Sequence, residues 1–148
     1  SVVHGMMAYF GQTSHSISKL FIPEDYDIVP LLESFEKYKY LSNHNKYLNN
    51  YEYYKSIYLI NREKFFDNEI ILAIPNNEKF ISPLGVIYFS FYKDETDLLR
   101  LLSENSTMYR FVYGNNNGNR KKIEEVYFSD LFYGDDNAMC INVLEQNL

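Results

Sequence analysis

Two stretches of this chain contain almost nothing that prefers water. Ile70 to Ile74 is near-continuously apolar, and Gly85 to Phe91 holds no charged residue. Successive side chains of a strand point to opposite sides of the sheet, so a strand with one wet face alternates apolar with polar residues. Unbroken apolar runs of strand length suit strands covered on both faces, as in a parallel sheet flanked by helices.

The rest of the chain fits that scheme. Val3, Met6, Met7 and Phe10 fall at helical spacing, and Gly11 ends the element. Lys19-Leu20-Phe21-Ile22 reads as a short strand stopped by Pro23. Glu24 to Tyr38 carries Ile28, Leu31, Leu32 and Phe35 on one helical stripe, with Pro30 marking a start or a kink. The Asn- and Tyr-crowded segment Tyr40 to Tyr58 has no assignment from its pattern. Asp94 to Asn105 is the cleanest helix, with Leu98, Leu99, Leu101 and Leu102 apolar. Tyr109 to Tyr113 returns as a strand that ends in a Gly/Asn turn. Strand, helix and strand in that order make a βαβ unit, and the fold class expected is α/β.

Composition narrows the functions. The 148 residues are the size of one domain, and 46% are hydrophobic, enough for a real core. A net charge of −6 opposes nucleic-acid binding, which needs neutralised phosphates. The compact basic cluster Arg120-Lys121-Lys122 is followed at once by Glu124 and Glu125, and reads as a solvated helix start. One cysteine, Cys140, precludes an internal disulfide, fits a cytoplasmic setting, and reads as a buried structural thiol. No apolar run approaches a membrane span, and His4, His15 and His44 have no metal-site spacing. The 15 Tyr and 11 Phe, without Trp, supply packing surface with polar tips.

Chemistry concentrates in Phe10-Gly11-Gln12-Thr13-Ser14-His15-Ser16-Ile17-Ser18-Lys19-Leu20-Phe21-Ile22, a glycine turn rich in hydroxyls leading into an apolar strand. A nucleophile in such a turn stands at the end of a buried element, where neighbouring N–H groups can face a developing oxyanion.

This stretch resembles the aldehyde dehydrogenase superfamily. Its members place Gly-Gln-x-Cys before a Ser-Arg pair and a short Phe-Val strand; here Gly11-Gln12-Thr13-Ser14, Ser18-Lys19 and Phe21-Ile22 match without a gap. Ile81-Ser82-Pro83-Leu84-Gly85-Val86 stands where the family has Phe-Gly-Pro-Val, and Asn105-Ser106-Thr107 where it has a helix-ending Asn-Ser-Thr. Within the superfamily the chain is most similar to fatty acyl-CoA reductases of the luminous-bacterium type. Ser18 to Pro23 matches their Ser-Lys-Leu-Phe-Val-Pro, and Lys46-Tyr47-Leu48-Asn49-Asn50-Tyr51 their Lys-Tyr-x-Asn-Asn-Tyr.

The resemblance implies a parallel-sheet catalytic domain of the aldehyde-dehydrogenase type. Residues 1–148 would be a single domain, the C-terminal catalytic part of a longer, often oligomeric reductase. It implies an acyl-CoA or acyl-protein substrate and a covalent acyl-enzyme reduced to an aldehyde. NADPH or NADH would be bound mainly by a domain outside this chain. Ser14 takes the nucleophile position, with Gln12, Thr13 and His15 lining the substrate and oxyanion loop. The cofactor-ribose glutamate of the family falls at or near Lys79, one residue from Glu78. Serine in place of cysteine is the main departure, since serine needs an adjacent base and gives a less reactive ester. Two other readings compete: a non-catalytic relative that binds an acyl group or a protein partner, and an unrelated α/β domain.

Overall fold

A computed structural model of the protein describes residues 17–105, 111–116, 119–125 and 140–144. Its described strands form one seven-stranded sheet. In chain order they are β1 (Ile17–Pro23), β2 (Phe66–Asp67), β3 (Leu72–Pro75), β4 (Val86–Tyr92), β5 (Phe111–Asn116), β6 (Asn119–Glu125) and β7 (Cys140–Leu144). Across the sheet the order is β2-β3-β4-β1-β7-β5-β6. The five inner strands are parallel, and antiparallel pairs β2–β3 and β5–β6 close the two edges. The chain is therefore α/β with a mostly parallel sheet, as the two apolar runs require. Those runs are indeed buried on both faces: Leu72, Ala73 and Ile74 in β3, and Val86 through Phe89 in β4.

Among the described residues three helices and one 3-10 segment accompany the strands. They are α1 (Val29–Glu33), a 3-10 helix (Glu36–Asn43), α2 (Asn45–Ile60) and α3 (Glu95–Glu104). The single helix expected over Glu24 to Tyr38 is thus corrected to one α turn followed by a tighter one. Pro30 sits at the start of α1, where its missing N–H costs nothing. Beyond it the buried residues Phe35, Tyr38 and Leu41 recur every third position, the period of a 3-10 helix rather than an α-helix.

The segment left unassigned by its pattern becomes α2. Its buried stripe is made of tyrosines, Tyr47, Tyr51 and Tyr58. Each buries a ring while its hydroxyl finds a partner: Tyr47 donates to the Ile70 carbonyl at 2.7 Å, and Tyr51 to Asp67 at 2.6 Å. Gly85, at φ +85°, lets α2 approach the start of β4. A Cβ there would lie 3.0 Å from the Tyr51 Cα.

The helix expected at Asp94 to Asn105 is α3, capped by the Asp94 carboxylate accepting from the Asp97 N–H at 2.8 Å. The unit β4–α3–β5 is the expected βαβ, and it passes over β1 and β7. The basic cluster Arg120-Lys121-Lys122 does not begin a helix. It lies in edge strand β6, which pairs antiparallel with β5 down to Asn116 opposite Asn119. Charged residues are common on an edge strand. Among the described residues no helix is long and apolar enough to cross a membrane.

The core has two faces. On one, Leu20, Ile22, Ala73, Ile87 and Phe89 pack against Ile28, Leu31, Leu32, Phe35, Leu41 and Tyr47. On the other, Phe21, Phe80, Tyr92 and Leu102 form one cluster, and Leu72, Ile74, Val86 and Tyr88 join Tyr51 and Tyr58 in a second.

Candidate functional site

The polar centre of the molecule grows out of β1. Leu20 and Ile22 point to the first face, so Lys19 and Phe21 share the second. That face is covered beside β1 by residues 76–85, the connection from β3 to its parallel neighbour β4. Such crossovers usually contain a helix, which satisfies its own backbone; this one contains none. The carbonyls of Asn76 and Lys79 take their donors from the sheet below.

Lys19 supplies them. It is 0% exposed, and its ammonium donates to the carbonyls of Asn76 and Lys79, the latter at 3.1 Å. The same nitrogen lies 4.9 Å from the Phe80 ring centroid and 5.9 Å from that of Phe21. Phe80 and Phe21 are themselves in contact, with centroids 6.3 Å apart. Two carbonyls and two ring faces thus replace the water that the charge has lost. Burial lowers the Lys19 pKa from its ordinary value to about 8.

The turn is also braced from within and below. The Asn76 side-chain oxygen accepts from the backbone N–H of Glu78 at 2.9 Å and of Lys79 at 2.8 Å. Ser90 in β4 donates to the same Asn76 carbonyl at 3.1 Å. The Asn76 N–H reaches the Phe89 carbonyl at 2.9 Å. Lys19 and Ser90 are the buried polar residues among the described side chains, and both serve this turn. Glu78 and Lys79 project from it into solvent, with the Lys79 ammonium 5.7 Å from the Tyr88 ring centroid.

A second polar cluster ties α2 to the sheet edge. Asp67 accepts from Tyr51 and pairs with Lys55 at 2.6 Å. Burial would raise the Asp67 pKa, but hydrogen bonds from Lys55, Tyr51 and the Glu69 N–H hold it below its ordinary value. The Tyr51 hydroxyl is pushed up, first by burial and then by its bond to Asp67. It therefore holds its proton firmly, and the cluster is suited to fastening α2 rather than to proton transfer. Nearby, the Tyr58 and Tyr88 hydroxyls meet at 3.1 Å.

On the opposite face from Lys19 lies an open apolar groove of about 500 Å³. Phe65, Phe66, Phe89, Phe91 and Pro75 line it, with Glu63 and Lys64 at its border. Phe89 and Phe91 meet edge-on at 5.4 Å between centroids.

The sequence-predicted site divides accordingly. Gln12, Thr13, Ser14 and His15 lie outside the described residues, as does His4. Cys140 opens β7, its backbone in register with Ile17 and Phe111, while its side chain lies outside the description. His44 stands at the N-cap of α2. Lys19 and the Glu78–Lys79 segment, separated by sixty positions in sequence, come together in one hydrogen-bonded unit. Asn76 and Ser90 are the hydrogen-bonding neighbours of this turn that pattern reading missed. Ser90 could have been noticed as the hydroxyl that interrupts the apolar run before Phe91. Among the described residues no cluster of three His, Cys, Asp or Glu side chains could hold a metal ion.

Compared with known protein families, with curated proteins and with solved structures, the chain finds no match.

Proposed function

We propose that the chain is the acyl-accepting catalytic domain of an NAD(P)H-dependent acyl-CoA reductase of the aldehyde-dehydrogenase type, with Ser14 at the nucleophile position. One observation carries this reading. The strand that follows the Ser14 loop and the turn at which the family resemblance puts the cofactor-ribose glutamate are joined through the Lys19 ammonium. Nothing in the spacing of the sequence requires that meeting. A parallel α/β sheet with β1 among its inner strands is compatible with the proposal.

In the proposed reaction the Ser14 Oγ attacks the thioester carbonyl carbon and the C–S bond to CoA breaks. The hydroxyl proton passes to a base, for which His15 is the candidate in the loop, and on to the departing thiolate. The backbone N–H of Ser14 and the side chains of Gln12 and Thr13 would face the developing oxyanion. The Glu78 carboxylate, exposed on a braced turn, fits an acceptor for ribose hydroxyls of a nicotinamide nucleotide. That cofactor, held mainly by a further domain, would supply the hydride that releases the acyl group as an aldehyde.

A second reading is favoured by a specific residue, the serine itself. An oxygen ester accepts hydride less readily than a thioester, so a relative retaining the fold to bind an acyl group or a protein partner fits Ser14. The two readings separate in the full-length parent protein, by following NADPH loss at fixed fatty acyl-CoA for Ser14 and Ser14→Cys. The reductase reading predicts clear turnover with cysteine and little with serine. Acyl-CoA binding without NADPH consumption in either form assigns the chain to the binding class instead.

A further inference from the structure

We propose that Lys19 is a positioning residue: its enclosed ammonium fixes the crossover turn Asn76–Phe80 and thereby sets where Glu78 stands for the ribose of a nicotinamide nucleotide. The ribose contact rests on the reductase reading; the fixing of the turn does not.

The argument begins with what a lysine in this place must overcome. Enclosing an ammonium is unfavourable unless its lost hydration is replaced, and an apolar side chain of similar length would fill the same volume without that loss. Packing therefore does not explain the charge. Phe80 already fastens the turn to the core by burial in the cluster with Phe21, Tyr92 and Leu102. A buried ring holds a loop down but leaves its backbone free to rotate about that anchor. The ammonium adds direction, because the carbonyls of residues 76 and 79 converge on one nitrogen. With both carbonyls turned inward, the side chain of the intervening Glu78 projects outward. Asn76 completes the geometry by receiving the Glu78 and Lys79 N–H groups. Ser90 supplies the remaining donor to the Asn76 carbonyl from the floor of the sheet. Each polar group in this assembly points at the backbone of the turn.

The test uses Lys19→Met, which retains the stem and deletes the donors, and reads two quantities. The first is amide hydrogen exchange at Glu78 and Lys79. Losing the pin is expected to speed it about tenfold, with β4 amides unchanged. The second is the NADPH dissociation constant of the full-length parent by fluorescence titration. It is expected to rise about tenfold, while fatty acyl-CoA affinity holds. Glu78→Gln should weaken NADPH to a similar degree without altering exchange. If Lys19→Met proves too unstable to study, Lys19→Leu removes the same donors with a more compact apolar side chain, and the same two changes are expected. Unaltered exchange at residues 78 and 79, or faster exchange throughout the sheet, overturns the pin. Local loosening with unaltered NADPH affinity overturns the ribose role. A wild-type parent that binds no NADPH overturns the reductase reading, and exchange still decides the pin.

Discussion

Both faces of the sheet carry buried clusters, but the two are built on different terms. On the face of Leu20, Ile22, Ala73, Ile87 and Phe89, the cover is largely helical, from α1, the 3-10 segment and the start of α2. Helices satisfy most of their own backbone, so this face asks little of its side chains beyond volume. The hydroxyl of Tyr47, bonded to the Ile70 carbonyl, is a small polar exception. On the face of Lys19, Phe21, Tyr88, Ser90 and Tyr92, part of the cover is the irregular crossover 76–85. Lys19 and Ser90 supply donors to its Asn76 carbonyl, and Lys19 to that of Lys79. Buried polarity follows irregular backbone, and irregular backbone is where a turn can present an exposed functional side chain.

The sharpest way to break this contrast is to empty a position on each face. Phe89→Ala, on the apolar face, should cost about 3–5 kcal/mol in denaturant unfolding. Ser90→Ala, its neighbour facing the other way, should cost about 1 kcal/mol, the worth of one hydrogen bond whose acceptor retains Lys19. Equal losses at the two positions would contradict a division of labour between the faces.

Gly85→Ala tests how closely α2 seats on the start of β4. A side chain at φ +85° is strained, and its Cβ would meet the Tyr51 Cα at 3.0 Å. A loss of about 1–3 kcal/mol is expected, and a loss of only a few tenths would mean that α2 shifts easily.

Asp67→Ala, which strands Tyr51 and Lys55, should cost about 1–2 kcal/mol at neutral pH. The folded pKa of Asp67 is depressed, so its contribution is present above the ordinary carboxylate range and fades as pH falls through the folded value. Wild type and Asp67→Ala should therefore converge in stability in acid. A gap that stays constant down to pH 2 would contradict the ion pair.

The last effect belongs to Lys19 and falls in an alkaline window. Between its folded pKa of about 8 and its ordinary 10.5, the unfolded chain binds more protons at this group. Its contribution to stability therefore rises with pH across that window. Below the window both states are protonated and the term is flat. The neutral amine keeps two N–H donors for the two carbonyls, so the turn retains its bonds. Wild type should gain about 2 kcal/mol on Lys19→Met between pH 8 and pH 10. Higher pH blurs the comparison, because the raised hydroxyls of Tyr47, Tyr51 and Tyr88 then favour unfolding.

Much of this architecture was legible in the sequence. The apolar runs at Ile70 and Gly85 marked β3 and β4 because a strand covered on both faces leaves no alternation to obscure it. The helix at Asp94 announced itself through its leucines. The Tyr40 to Tyr58 region was opaque because tyrosine scores as half polar, although Tyr47, Tyr51 and Tyr58 do the work of leucines there. The helix over Glu24 to Tyr38 was misjudged because spacings of three and four residues look alike until the period is followed to Leu41. Arg120 to Lys122 misled because charge on an edge strand resembles charge at a helix start. Lys19 was placed correctly on a strand, but its burial depends on a crossover sixty positions away. No local pattern reports that distance. Gln12, Thr13, Ser14 and His15 rest on the family resemblance, since they lie outside the described residues.

The account centres on Ser14 standing at an acyl-accepting position, and the most direct measurement is a covalent one. Full-length parent protein carrying Ser14→Cys would be incubated with fatty acyl-CoA in the absence of nicotinamide cofactor, then digested and analysed by mass spectrometry. The account predicts an acyl adduct on the peptide containing residue 14, with an equal amount of free CoA released. Intact acyl-CoA bound to the protein, with that peptide unmodified, would contradict it.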